Sequence, residues 1–137
     1  MATKPYVLML ESDPDDRYIT EHTLSELGYN YPIKFLTHGK ELMNHLSKEE
    51  KPFVILLDDS PYGGAGIEVL EKLKTNPDYR HIPVVMISEV ATADRIAECY
   101  HKGANTVIKK PSTLEGTKEK IGTFFKYWFE VAEMNPG

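Results

Sequence analysis

Five short apolar runs recur along the chain, each followed by a stretch whose apolar residues return at helical spacing, and this alternation constrains the fold more than any other feature. Residues 6–10 (YVLML) are near-continuously apolar, as expected of a strand buried on both faces. Asp13 and Pro14 read as a helix start, because an Asp side chain caps free amides and Pro tolerates the first helical position. Tyr18, Leu24 and Leu27 are expected on that helix's inner side, with Gly28 as its stop. Ile33 and Phe35 alternate as a weaker strand, and Leu42, Met43 and Leu46 form a helical stripe. Residues 53–57 (FVILL) carry the strongest strand signal. Ile67, Leu70 and Leu73 mark a third helix that ends before Pro77. Residues 84–87 are a fourth strand, and Thr92 caps a helix expected to turn Ala93, Ile96, Ala97 and Tyr100 inward, with Gly103 past its end. Residues 106–109 are a short fifth strand. Ser112 or Thr113 then opens a long last helix carrying Leu114, Ile121, Phe124, Phe125 and Trp128.

Five strand-then-helix units predict an α/β architecture, a doubly wound five-stranded parallel sheet with helices on both faces. Right-handed crossovers leave few topologies, of which the order 2-1-3-4-5 is the commonest for five strands. In that order strands 1 and 3 part at a switch point, where ligands usually bind. With 137 residues against about 150 per domain, residues 1–137 are expected to form one domain with no attached output domain. A hydrophobic share of 41% with 27% charged residues argues against disorder. The net charge of -5 disfavours nucleic acid or an anionic membrane as the main partner. The single Cys99 excludes an internal disulfide and fits a reducing compartment. The early apolar run is too short for a signal peptide's core or a membrane span, so a cytoplasmic location is expected.

Polar residues gather where this fold would bring them together. The first strand ends in Glu11-Ser12-Asp13, the third in Asp58-Asp59-Ser60, the fourth in Ser88 and the fifth in Lys109-Lys110-Pro111. Clustered carboxylates are costly to ionise together, which suggests a hard divalent cation such as Mg²⁺. A metal together with a Lys can hold a dianionic phosphoryl group, and an Asp carboxylate can itself accept one as an acyl phosphate. Each residue alone reads as an ordinary cap or solvated charge. The set reads otherwise, because its members come from four different strand ends.

The chain resembles the receiver domain of two-component response regulators. The resemblance spans essentially its whole length and rests on Ile55-Leu-Leu-Asp58 with Gly66 eight residues later, Ile67-Glu-Val-Leu70, Ile82-Pro-Val-Val85 leading to Ser88, and Gly103-Ala-Asn105 running on to Lys110-Pro111. Residues 126–131 (KYWFEV) are similar to short stand-alone receivers that partner cyanobacterial phytochromes. The resemblance implies a flavodoxin-like (βα)5 fold and a switch or relay acting by docking onto an unidentified downstream protein. Asp58 would take a phosphoryl group from the phosphohistidine of a sensor histidine kinase or phosphotransfer protein. Ser88 would hydrogen-bond that group, Lys110 would pair with it as a point charge, and Glu11, Asp58 and the Ser60 backbone carbonyl would hold Mg²⁺. The Lys110–Pro111 peptide is expected to be cis. Beyond self-catalysed phosphotransfer and dephosphorylation, no enzymatic activity is implied.

Two positions depart from the family pattern. Receivers carry an acidic pair after the first strand, whereas here it reads Glu11-Ser12, so weaker Mg²⁺ binding is expected. Asp13 could compensate as a metal ligand, although it also serves as a helix cap. Asp59 should point to the opposite side from Asp58, adding field without a ligand. The second departure is Val107, where the family usually places an aromatic; a β-branched side chain cannot make that residue's inward swing. These departures support an alternative, a degenerate receiver acting as a phosphorylation-independent interaction module. A Mg²⁺-dependent phosphatase would want an acid where Ser60 stands, and a flavin phosphate would be repelled by the acidic loop after the first strand. Residues 62–66 (YGGAG) lack the ending of a phosphate cradle and read as a loop. His22, His38, His45, His81 and His101 show no ligand spacing, and Cys99 reads as packed and inert. A helix cannot bury Tyr127, Trp128 and Phe129 on one face, so an exposed aromatic is expected, available to a partner, to a homodimer or for wrapping the domain's edge.

Overall fold

The computed structural model describes residues 5–30, 32–59, 66–89, 91–133 and 135. Strands β1 (Val7–Leu10), β2 (Ile33–Leu36), β3 (Val54–Asp59), β4 (Val84–Ser88) and β5 (Thr106–Lys109) form one parallel sheet in the order β2-β1-β3-β4-β5. Helices α1 (Pro14–Glu26), α2 (Gly39–Lys48), α3 (Gly66–Thr75), α4 (Ala93–His101) and α5 (Leu114–Lys126) connect and cover it. The expected doubly wound α/β topology is the one observed, and β1, β3 and β4 are buried on both faces as their unbroken apolar runs require.

Strand alternation splits the core in two. Leu8, Leu10, Ile55, Leu57, Val84 and Met86 face the side covered by α2, α3 and α4. Val7, Met9, Val54, Leu56, Val85 and Ile108 face the opposite side, with Leu24 of α1 and Ile121, Phe124 and Phe125 of α5. The α4–β5 junction is pinned by Asn105, whose backbone N–H donates to the Val84 carbonyl while its side-chain Oδ1 accepts the Val84 N–H at 2.9 Å. Gly103 makes the preceding turn at φ +108, a conformation that L side chains rarely adopt.

Several helix faces differ from the sequence expectation. In α1 the buried residues are Thr20, Thr23 and Leu24, while Tyr18 and Leu27 lie exposed. The Tyr18 ring stacks on His22 at 5.5 Å instead of entering the core, and the smaller threonines let the helix approach the sheet. In α4 the inward residue is Cys99; Ala93 and Ala97 are exposed, and so is Tyr100, whose hydroxyl accepts the Val107 N–H at 3.1 Å. An apolar ring with a polar tip is better placed over the edge strand than inside. Leu114 at the start of α5 is likewise exposed.

The aromatic row after α5 resolves through backbone geometry. Tyr127–Val131 is a π-helical turn, closed by the Ala132 N–H to the Tyr127 carbonyl at 2.7 Å. The widened turn lets the consecutive Trp128 and Phe129 both pack, each edge-on to Phe53, while Tyr127 remains exposed. Among the described residues no helix is long and apolar enough to cross a membrane.

Candidate functional site

Alternation carries beyond the apolar residues to the carboxyl rim of the sheet. Asp58 continues the face of Val54 and Leu56, and Lys110 that of Ile108, while Glu11 follows Met9 on the same side. Asp16, in the first turn of α1, joins them from above. Lys110 Nζ donates to Asp16 Oδ2 and, at 3.1 Å, to Glu89 Oε1 just past β4. Burial works against the charge on Lys110, but these two carboxylates outweigh it and hold the ammonium above the ordinary lysine range.

Glu11 is 2% exposed, its Oε1 accepting the Asp13 N–H at 3.0 Å. Burial, and next the charge of Asp58, push its carboxyl up to about 8. Burial also raises Asp58, to about 6, with Lys110 and a hydrogen bond from Glu11 pulling the other way. Asp58 Oδ1 is buried and finds no hydrogen-bond partner among the described residues. The site is therefore a carboxyl pair short of positive charge, beside an ammonium already held by two other acids.

The other side of the rim carries a separate network. Asp59 continues the Ile55 and Leu57 face, and Ser88 continues that of Val84 and Met86, so the two meet in register on the α3–α4 side. Ser88 Oγ donates to Asp59 Oδ2 at 3.1 Å. Arg95 of α4 grips the same carboxylate with both prongs, Nε to Oδ2 at 2.9 Å and Nη2 to Oδ1 at 2.6 Å. Asp59 thus points away from Asp58, as expected of adjacent strand residues, but it takes the hydroxyl that the family resemblance assigned to a phosphoryl group on Asp58.

Other candidate positions fall as follows. Asp13 is the N-cap of α1: its Oδ1 accepts the Asp15 N–H at 2.9 Å, and the residue is exposed. Ser12 is exposed. Ser60 and residues 61–65 lie outside the described residues, and with them the Ser60 carbonyl and most of the Tyr62–Gly66 loop. Contrary to expectation, the Lys110–Pro111 peptide is trans, as no cis bond occurs among the described residues. Trans is the lower-energy form of an X–Pro bond, and Lys110 reaches its partners from it. Gly66 is buried so close to β3 that an added Cβ would lie 2.8 Å from the Asp58 carbonyl oxygen, which accounts for a glycine eight residues after Asp58. Among the described residues no group of three or more His, Cys, Asp or Glu side chains is placed to hold a metal ion.

Asp16, Glu89 and Arg95 were not singled out in the sequence. Asp16 sits one turn past the acidic strand end and Glu89 directly follows Ser88, so proximity to the rim was an available signal. Arg95 offered a weaker signal, since a basic residue in the first turn of α4 runs against the helix dipole unless it answers a partner elsewhere.

The profile of response regulator receiver domains matches residues 7–121. A chemotaxis protein of Vibrio cholerae, CheY-3, is 29% identical over 120 residues, covering 88% of this chain and 91% of that protein. Among solved structures, a phosphorylated cyanobacterial phytochrome response regulator, RcpA, aligns with a TM-score of 0.86 at 24% identity, covering 98% of this chain and 100% of its own. A response regulator from Hahella chejuensis has a TM-score of 0.86 at 25% identity, covering 96% of this chain and 100% of its own.

Proposed function

Because the chain belongs to the response regulator receiver family, whose members are two-component signalling switches rather than enzymes, we propose that it is a phosphoryl switch with Asp58 as the acceptor. The observation that carries this reading is the buried, unpartnered Oδ1 of Asp58 at the end of β3, within the field of the Lys110 ammonium. An Asp58 oxygen forms a bond to phosphorus as the P–N bond of a phosphohistidine breaks, and the imidazole leaves and takes up a proton. Lys110 exchanges Asp16 or Glu89 for the incoming phosphoryl oxygens, a trade of one anionic partner for another. The donor is the phosphohistidine of a sensor kinase or phosphotransfer protein, and the phosphorylated chain acts by docking onto a downstream protein.

The carboxyl pair Glu11 and Asp58 supplies hard oxygens that lack a counter-charge, which fits Mg²⁺. Those two residues would hold the ion, with the Ser60 backbone carbonyl as the family's further contact. Bound there, it would neutralise charge on the transferring phosphoryl group. The neutral, exposed Ser12 adds no charge, so affinity falls below that of receivers with an acidic pair; calorimetric titration finding equal affinity overturns that expectation.

Treating the full chain with a small-molecule phosphodonor and Mg²⁺, followed by intact mass measurement, tests the acceptor. One added phosphoryl group, absent in Asp58→Asn, is expected. A second reading, a receiver that works without phosphorylation, draws on the same site: Lys110 is already committed to Asp16 and Glu89, and Ser88 to Asp59. No mass increase under these conditions favours it.

A further inference from the structure

We propose that Asp59 is a positioning residue for phosphoryl uptake, holding the Ser88 hydroxyl away from Asp58 with a grip that Arg95 of α4 sets. The inference rests on Asp58 being the acceptor and goes beyond it. A serine hydroxyl carries one hydrogen. In this structure that hydrogen goes to Asp59 Oδ2, across a register pair in which both residues are almost wholly buried, Ser88 at 0% and Asp59 at 2% exposure. Buried charge makes the bond a charge-assisted one, and a phosphoryl group on Asp58 can engage Ser88 only by breaking it. Ser88 is the last residue of β4 and shares the Asp59 face, so engaging a phosphoryl group on Asp58 requires its hydroxyl to let go of Asp59 and swing around the end of the strand.

Arg95 decides how firmly Asp59 holds on. Its Nε donates to the same Oδ2 that accepts from Ser88, while Nη2 occupies Oδ1. Two donors on one oxygen share its charge, so the guanidinium fork loosens the hydroxyl's tie. Once Ser88 leaves, Arg95 alone satisfies Asp59, and the two prongs seat α4 against the rim. The position where the family usually swings an aromatic holds Val107, and the Asp59–Arg95 pair supplies another line from the phosphoryl site to α4.

The two variants Asp59→Asn and Arg95→Lys carry opposite expectations, and initial rates of phosphoryl incorporation from a small-molecule donor with Mg²⁺ read them. Asp59→Asn removes the competing charge and is expected to speed uptake by at least about threefold. Arg95→Lys removes the Nε prong, leaves Oδ2 to Ser88 and slows uptake. Both effects should vanish in a Ser88→Ala background. A merely structural role would move both variants the same way and persist without the hydroxyl, and either result overturns the proposal. If Asp59→Asn does not fold, judged by circular dichroism, Arg95→Lys with and without Ser88 still decides. Should the unaltered chain take up no phosphoryl group, the acceptor reading fails and this inference with it; uptake with rates indifferent to Ser88 sinks this inference alone.

Discussion

Glu11 shows how one side chain ties the site to the stability of the whole fold. Its carboxyl titrates near 8 in the folded chain against 4.5 for an ordinary Glu, so the folded state keeps a proton that the unfolded chain has lost. Stability is then fullest below the ordinary value and declines as pH rises towards about 8. Glu11→Gln keeps the acceptor for the Asp13 N–H and removes the ionisable group. It should stabilise the metal-free protein by about 2 kcal/mol at alkaline pH, with little effect in acid, as read by chemical denaturation. Gly66 is the opposite case. Gly66→Ala drives a methyl against the Asp58 carbonyl and is expected to cost about 1–3 kcal/mol while slowing phosphoryl uptake, because backbone beside the proposed acceptor must yield.

At the scale of elements, the start of α1 and the end of α5 separate roles that composition alone leaves merged. Asp13 caps α1 and is exposed, so Asp13→Ala should lower stability by about 1 kcal/mol; an unchanged Mg²⁺ titration would exclude it as a ligand, and a weakened one would support that role. The π-helical turn gives a second contrast. Phe129 packs against Phe53 and Phe125, whereas Tyr127 is half exposed. Phe129→Ala should cost about 3 kcal/mol in thermal or denaturant unfolding. Tyr127→Ala should stay within about 0.5 kcal/mol. A regular α-helix over the same residues would bury one of Trp128 and Phe129 at the expense of the other, and equal small effects would speak for it.

Across the whole molecule, the proposed Mg²⁺ site would link proton, metal and fold through the same carboxyl pair. A cation held by Glu11 displaces the proton that burial keeps there, so Mg²⁺ affinity should climb between about pH 6 and pH 8. The rise is bounded by about tenfold per pH unit for each proton released, and calorimetry in buffers of different ionisation enthalpy counts those protons directly. The gain in melting temperature from Mg²⁺ should grow over the same range. An affinity that does not change with pH would remove Glu11 from the ligand set.

The sheet and its order were legible in the sequence because strands buried on both faces announce themselves as unbroken apolar runs, and right-handed crossovers allow few ways to join them. The same logic brought Glu11, Asp58 and Lys110 to one rim. Strand parity, had it been carried one residue past Ile87, would also have put Ser88 beside Asp59 and opposite Asp58. Helix faces were harder to read: Tyr18, Tyr100 and Leu114 are apolar by type yet exposed, since a ring with a polar tip, or a residue in the first turn, loses little at the surface. What only the tertiary structure decided is which charged groups meet. Lys110 lies 94 residues from Asp16, and Arg95 lies 36 from Asp59. Long side chains of this kind choose among several acceptors within reach of one rim, and local spacing carries no record of that choice because the competitors arrive on different elements.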